Sequence, residues 1–267
     1  MSWNRRTHFI IVCLITFLTG LAAASLQAKD QIVLTVLYDN YTATEGIESD
    51  WGFSCLIEGM EKVILFDAGA KSDLLFRNAE RLNVDLDKVQ MIVISHSHFD
   101  HAGGIAKILD NNPEVTVYFP ASFRKELVDN IAAKSAKPVR VSEPVEIFRG
   151  AYLTGEMGYG IKEQSLILDT EEGLVIITGC SHQGIVNILE RAKELHQKNI
   201  YLVFGGFHLL QHSDEQINEI IQKFKLLGVK KCGATHCTGG QAIGLFEEAY
   251  GEDFISIGAG KVLRFSH

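Results

Sequence analysis

Residues 95–101 read Ser-His-Ser-His-Phe-Asp-His, so that His96, His98, Asp100 and His101 place three imidazoles and a carboxylate within six positions. In extended chain, side chains two apart point the same way. His96 and His98 can therefore present nitrogens to one ion, while a turn at Gly103 and Gly104 redirects Asp100 and His101 toward a neighbouring position. Imidazole with carboxylate oxygen suits zinc, and also manganese or iron, and one or two ions are expected. No Cys-x-x-Cys pair accompanies the cluster, which argues against a closed all-thiolate structural zinc. Three further histidines stand beside glycine at expected strand ends: His182 in Gly-Cys-Ser-His, His208 in Gly-Gly-Phe-His and His236 in Thr-His-Cys-Thr-Gly. Loops in such positions carry function more often than the elements they join. His196 and His212 read as exposed and His8 and His267 are terminal, so these four are expected to have no part in the site.

The elements that must carry these loops follow from periodicity. Residues 31–38, 52–58 and 62–66 read as strands opening a sheet, and 71–82 has apolar residues at helical spacing. Residues 89–94 form a short, almost wholly apolar strand running straight into the histidines. A helix over 104–109, a strand over 115–119, a helix over 122–133 and extended chain over 139–154 come next. Residues 165–169 and 173–178 make a hairpin, and a helix ends near 196. A strand at 200–204 leads to His208, Ser213 and Gln216 form a capping box for a helix ending at 227, and 231–234 leads to His236. Strands over 254–257 and 261–265 close the chain. Short buried strands ending in His-bearing loops, each followed by a helix, predict an α/β fold in which the loop ends converge on one site.

With 46% apolar residues and four prolines, the 267-residue chain can bury a large core, and one domain over 29–267 is expected. A formal charge of −8 with scattered Lys and Arg excludes a nucleic-acid footprint, leaving a small-molecule substrate as the expected partner. Residues 1–28 read as a signal peptide: Arg5 and Arg6, an apolar run over 9–21, then small residues with cleavage after Ala24 or Ala28. The expected location is periplasmic or secreted, and an uncleaved leader would make it a membrane anchor. Outside the leader, which contains Cys13, four cysteines (Cys55, Cys180, Cys232 and Cys237) permit one disulfide in an oxidising compartment without requiring it. Cys180 and Cys237, next to expected ligands, read first as small buried packing residues. Glu163 and Gln164 read as part of a solvated loop, with reach into the pocket as the alternative.

The His-x-His-x-Asp-His signature, with His182 and His236 downstream, resembles the metallo-β-lactamase superfamily over essentially the whole of 29–267. Asp39 and Asn40, 52–58, 67–69, 179–185, 205–209 and 236–239 are similar to the branch labelled dihydropterin-ribofuranosyl-aminobenzene-phosphate synthase. The resemblance implies a four-layer αββα sandwich, with His96, His98 and His182 on a first metal and Asp100, His101 and His236 on a second. The chain departs from many relatives in lacking a bridging aspartate: between 183 and 235 the only Asp is Asp214, in a helix turn, and His208 stands at the expected place. His208 is then expected to ligate one metal or to act on substrate.

The leading expectation is a metal-dependent hydrolase using a metal-bound hydroxide on a small ester, lactone, amide or phosphate-containing substrate, because zinc lowers the pKa of bound water to about 7. Asp100 would orient that hydroxide and pass a proton to the leaving group, with His236 assisting. The alternatives are a transferase like the named synthase and a non-catalytic metal-binding or sensing module.

Overall fold

The structure is a computed structural model describing residues 31–134 and 136–266, so the expected leader lies outside the described residues. Seven strands form the first sheet: β1 (Gln31–Tyr38), β2 (Ser54–Glu58), β3 (Ile64–Phe66), β4 (Met91–Val93), β5 (Thr116–Pro120), β6 (Lys137–Val141) and the C-terminal β13 (Val262–Ser266), in the order β13-β1-β2-β3-β4-β5-β6. Six form the second: β7 (Val145–Phe148), β8 (Ala151–Leu153), β9 (Leu166–Thr170), β10 (Gly173–Thr178), β11 (Ile200–Gly206) and β12 (Lys231–Thr235), in the order β12-β11-β10-β9-β8-β7.

Side-chain alternation assigns each residue to a layer. Along β9 and β10, Leu166, Leu168, Val175 and Ile177 point into the space between the sheets, where they meet Val36, Phe53, Phe66 and Val93. Their neighbours Ile167, Leu174 and Ile176 face outward onto α5 (Ile185–His196), α6 (Asp214–Leu226) and α7 (Gly240–Tyr250). A third cluster joins Leu56, Leu65, Ile92 and Val117 to α1 (Ser72–Arg81), α3 (Ile105–Asn111) and α4 (Lys125–Ala133), with the short α2 (Phe99–Ala102) between α1 and α3 in the chain. Three apolar interfaces between two sheets and two helical layers make the αββα sandwich.

Each sheet has a parallel half, β3 to β6 in one and β10 to β12 in the other. The loops leaving the C-terminal ends of β4, β10, β11 and β12 carry the histidines, the position where α/β sheets place ligands. The capping box at Ser213 and Gln216 is formed.

Several boundaries differ from expectation. Residues 254–257 form no strand; Phe254 makes a single bridge to Cys232, and Ile257 is drawn into the core. Strand β2 starts at Ser54 because Gly52 adopts φ 147° and its α-carbon passes the Asp100 carbonyl, which an added Cβ would meet at 2.6 Å. Gly103 and Gly104 have ordinary helical dihedrals, so they serve close approach and not an unusual turn: a Cβ at either would fall within 2.3 Å of the Ala70 or Ala68 carbonyl oxygen. All four described cysteines are free and buried.

Candidate metal centre

Asp67 follows β3 in the left-handed region (φ 56°), a conformation that an Asp tolerates better than most residues. Fully buried, it accepts three hydrogen bonds: Ser95 N–H to Oδ1 at 2.7 Å, Ser95 Oγ–H to Oδ2 at 2.8 Å and His101 Nδ1–H to Oδ2 at 2.7 Å. These bonds fix tautomers. The Ser95 hydroxyl has spent its only proton on a carboxylate, so at 2.9 Å from His96 Nδ1 it must accept, which leaves His96 Nε2 bare. On the other side, Gly52 N–H donates to Asn40 Oδ1, so that atom is the amide oxygen, and His236 Nδ1 donates to it at 2.9 Å. His236 Nε2 is therefore also bare.

Two groups of donor atoms result. In the first, His96, His98 and His182 present nitrogens within 4.8 Å of one another, with His96 Nε2 3.0 Å from His98 Nδ1. His182 Nε2 is buried with no hydrogen-bond partner. Burial lowers the pKa of all three, His182 to about 4 with His208 and His98 contributing, so the rings are neutral near pH 7, the form in which imidazole binds metal. The second group joins Asp100, His101 and His236, as the sequence resemblance implied, but also Cys180. His101 Nε2 lies 3.2 Å from His236 Nε2, and Asp100 Oδ2 lies 3.5 and 3.4 Å from these two nitrogens. Burial disfavours charge on His101, but Asp67 and Asp100 outweigh it and push the ring up to about 10. Burial likewise opposes the charged Asp100, yet the His101 and His236 rings beside it hold its carboxyl well below the usual range. One group leaves a buried nitrogen without a partner, and the other crowds two ring nitrogens against a carboxylate that holds a proton on His101 where a cation would sit, so the residues fit a pair of divalent metals.

The other expected residues fall as follows. His208, with φ 56°, is exposed and joins neither histidine group; its ring lies 4.3 Å from that of His182, and its nitrogen gathers with Cys180 and Cys237. His196 packs against Tyr152, whereas His212, expected to be a bystander, lines a cavity of about 290 Å³ with His182 and His208. Glu163 and Gln164 are not in a solvated loop: both are fully buried. The Glu163 carboxylate accepts the backbone N–H groups of Cys180, Ser181 and His182 at 2.8, 2.9 and 3.0 Å, holding the loop that delivers His182. Gln164 donates to the Ile94 carbonyl beneath the first histidines.

No local sequence pattern gives Asp67, Ser95 or Asn40 a role in positioning the ligands. The available signal for Asp67 was an acid placed directly after a three-residue buried strand. Outside the metal groups, Trp51, half exposed, tilts over His236 at a ring distance of 5.3 Å. A cleft of about 660 Å³ opens beside the ligand loop, lined by Ser97, Phe99, Ile105, Leu127 and Arg124.

Two sandwiched sheets with paired histidine groups at their parallel ends define the class: an αββα protein built to hold divalent metal. Comparison with known proteins then gives the family. The profile described as metallo-beta-lactamase superfamily matches residues 52–127. The 7,8-dihydropterin-6-methyl-4-(beta-D-ribofuranosyl)-aminobenzene-5'-phosphate synthase of Methanocaldococcus jannaschii is 31% identical, over 88% of this chain and 97% of its own. An uncharacterized protein of the same organism is 32% identical, over 79% and 92%. The crystal structure of Tm1679, described as a metal-dependent hydrolase of the beta-lactamase superfamily, superposes with a TM-score of 0.75 at 32% identity, covering 88% of this chain and all of that one. The chain belongs to the metallo-beta-lactamase superfamily.

Proposed function

We propose that the chain is a metal-dependent enzyme catalysing substitution at a carbon that bears an anionic leaving group, with an aryl amine as acceptor, a reaction that would join the dihydropterin and aminobenzene halves of the product for which the synthase relative is named. The observation that carries this reading is the similarity to that synthase along 97% of its length. When bound, divalent ions supply positive charge for a departing anionic group. His96, His98 and His182 would hold one ion and Asp100, His101 and His236 the other. Asp100, with a side-chain exposure of 17%, is the carboxylate of the cluster that reaches the solvent side, where it can accept a hydrogen bond from the incoming N–H. The exposed indole of Trp51 offers a stacking face for a flat heteroaromatic ring, and the neighbouring cleft has room for an aryl acceptor.

Hydrolysis, with water replacing the amine, is the second reading. The hydrolase description of Tm1679 favours it, as does the leader-like sequence over 1–28, since export would remove the enzyme from cytosolic pterins. The two separate in one assay. The purified, metal-loaded mature domain is given 7,8-dihydropterin-6-ylmethyl diphosphate with 4-(β-D-ribofuranosyl)aminobenzene 5'-phosphate, and separately a panel of chromogenic esters and phosphodiesters. A condensed product detected by mass spectrometry is expected. Turnover of the panel without condensation replaces the first reading by the second, and absence of both overturns the enzymatic proposal.

A further inference from the structure

His208 joins neither histidine group, and the fourth donor atom of the second group is a sulfur. Cys180 is buried at the end of β10, with its Sγ 3.2 Å from His101 Nε2 and 3.4 Å from His236 Nε2. Its backbone N–H is pinned by Glu163, so the sulfur is aimed by the same anchor that delivers His182.

Bond lengths test the arrangement. With zinc–nitrogen bonds of about 2.05 Å and a zinc–sulfur bond of about 2.3 Å, a tetrahedral ion separates two nitrogen ligands by about 3.3 Å and nitrogen from sulfur by about 3.6 Å. Here the nitrogen pair is 3.2 Å apart, the nitrogen–sulfur pairs 3.2 and 3.4 Å, and the nitrogen–oxygen pairs to Asp100 3.5 and 3.4 Å. The sixth separation, Asp100 to Cys180, lies within 4.8 Å. Five edges of a tetrahedron are thus in place before any ion is considered.

We propose that Cys180 is a thiolate ligand of the second metal, completing an Asp100, His101, Cys180, His236 set. Coordination exchanges the S–H bond for a metal–sulfur bond and releases the thiol proton to solvent. Four protein donors close that site, whereas the three histidines of the first leave a position free for an exchangeable ligand, so chemistry at an open metal position belongs to the first site. A sulfur donor also favours zinc, cobalt or iron over manganese at the second site. Cys237 is the control, because its thiol turns to the Cys180 carbonyl at 3.6 Å.

The test reads the metal and not turnover, so its outcome is independent of the substrate assignment. Apoprotein is titrated with cobalt(II), and the near-ultraviolet sulfur-to-cobalt charge-transfer band is followed. The band is expected as the second site fills, absent in Cys180→Ser and retained in Cys237→Ser. A band surviving Cys180→Ser, or lost in Cys237→Ser at full cobalt content, overturns the proposal. Should Cys180→Ser not fold, X-ray absorption at the zinc edge of the Cys237→Ser protein decides: a sulfur scatterer at about 2.3 Å is expected, and a shell of nitrogen and oxygen alone overturns it.

Discussion

Replacing Asp67 by Asn changes one oxygen to an N–H₂ group and should disturb both donor groups at once. The backbone at this position is left-handed, which Asn adopts readily, so the exchange introduces no backbone strain. The amide oxygen can keep the Ser95 N–H, but the new donor then faces the Ser95 hydroxyl and His101 Nδ1, both of which donate to Asp67 in the wild type. Two consequences follow from proton counting. His101 moves its proton to Nε2, where it points at the second ion. The Ser95 proton turns toward His96 Nδ1, and His96 carries its own proton to Nε2, toward the first ion. Restoring a bare nitrogen forfeits a buried hydrogen bond at each ring, about 1–3 kcal/mol. Loss of such an orienting partner weakens metal binding about tenfold to a hundredfold, or about 1.4–2.8 kcal/mol, so the two estimates agree. Zinc affinities measured by competition against a chromophoric chelator should therefore fall by that factor at both sites in Asp67→Asn, with circular dichroism unchanged. Equal affinities in variant and wild type would refute the tautomer assignment.

Other outcomes are accessible with standard measurements. Glu163→Gln leaves one carbonyl oxygen for three backbone donors, so chelator competition should show the first site weakened about tenfold or more and chemical denaturation a loss of about 1–3 kcal/mol. Asp39 is buried with one oxygen unpartnered, and burial raises its pKa from 3.8 to about 6. The folded state thus binds this proton more tightly than the unfolded chain, and wild-type stability falls as pH rises from 3.8 to about 6, then levels. Denaturant titrations across pH should show Asp39→Asn gaining on wild type through that window by about 1–3 kcal/mol, with a constant difference above it. If Trp51 stacks on substrate, Trp51→Ala should raise KM severalfold while metal content stays unchanged. N-terminal sequencing of protein recovered after export should begin at Ser25 or Lys29, whereas a start at Met1 or Ser2 in a membrane fraction identifies an anchor.

The histidine-bearing loops were legible in the sequence because metal ligation demands rare residue types at short spacing, and the strands feeding them because each is a brief, largely apolar run that leads straight into such a loop. The layer order was reached through resemblance, since periodicity alone does not say which face of a buried strand meets which helix. What stayed hidden depends on long-range contact. Asp67 and His101 are 34 positions apart, and Glu163 closes on a loop 17 to 19 residues away, so neither carries a local pattern. Glu163 looked solvated because an acid beside a glycine-rich stretch usually is; three backbone donors offset its burial. Cys180 looked like packing because a small buried thiol is normally inert, and only its distance to the His101 and His236 ring nitrogens marks it otherwise. The strand expected over 254–257 failed because its apolar residues fill the core from an irregular segment.

The central claim is that imidazoles from separate strand ends gather into two groups, each holding its own divalent ion. Elemental analysis of the folded protein after zinc loading and desalting tests it most directly, comparing wild type with His96→Ala/His98→Ala and with His101→Ala/His236→Ala. Two equivalents in wild type and about one in each double variant are predicted by the two-site geometry. Unchanged zinc in either variant would contradict it.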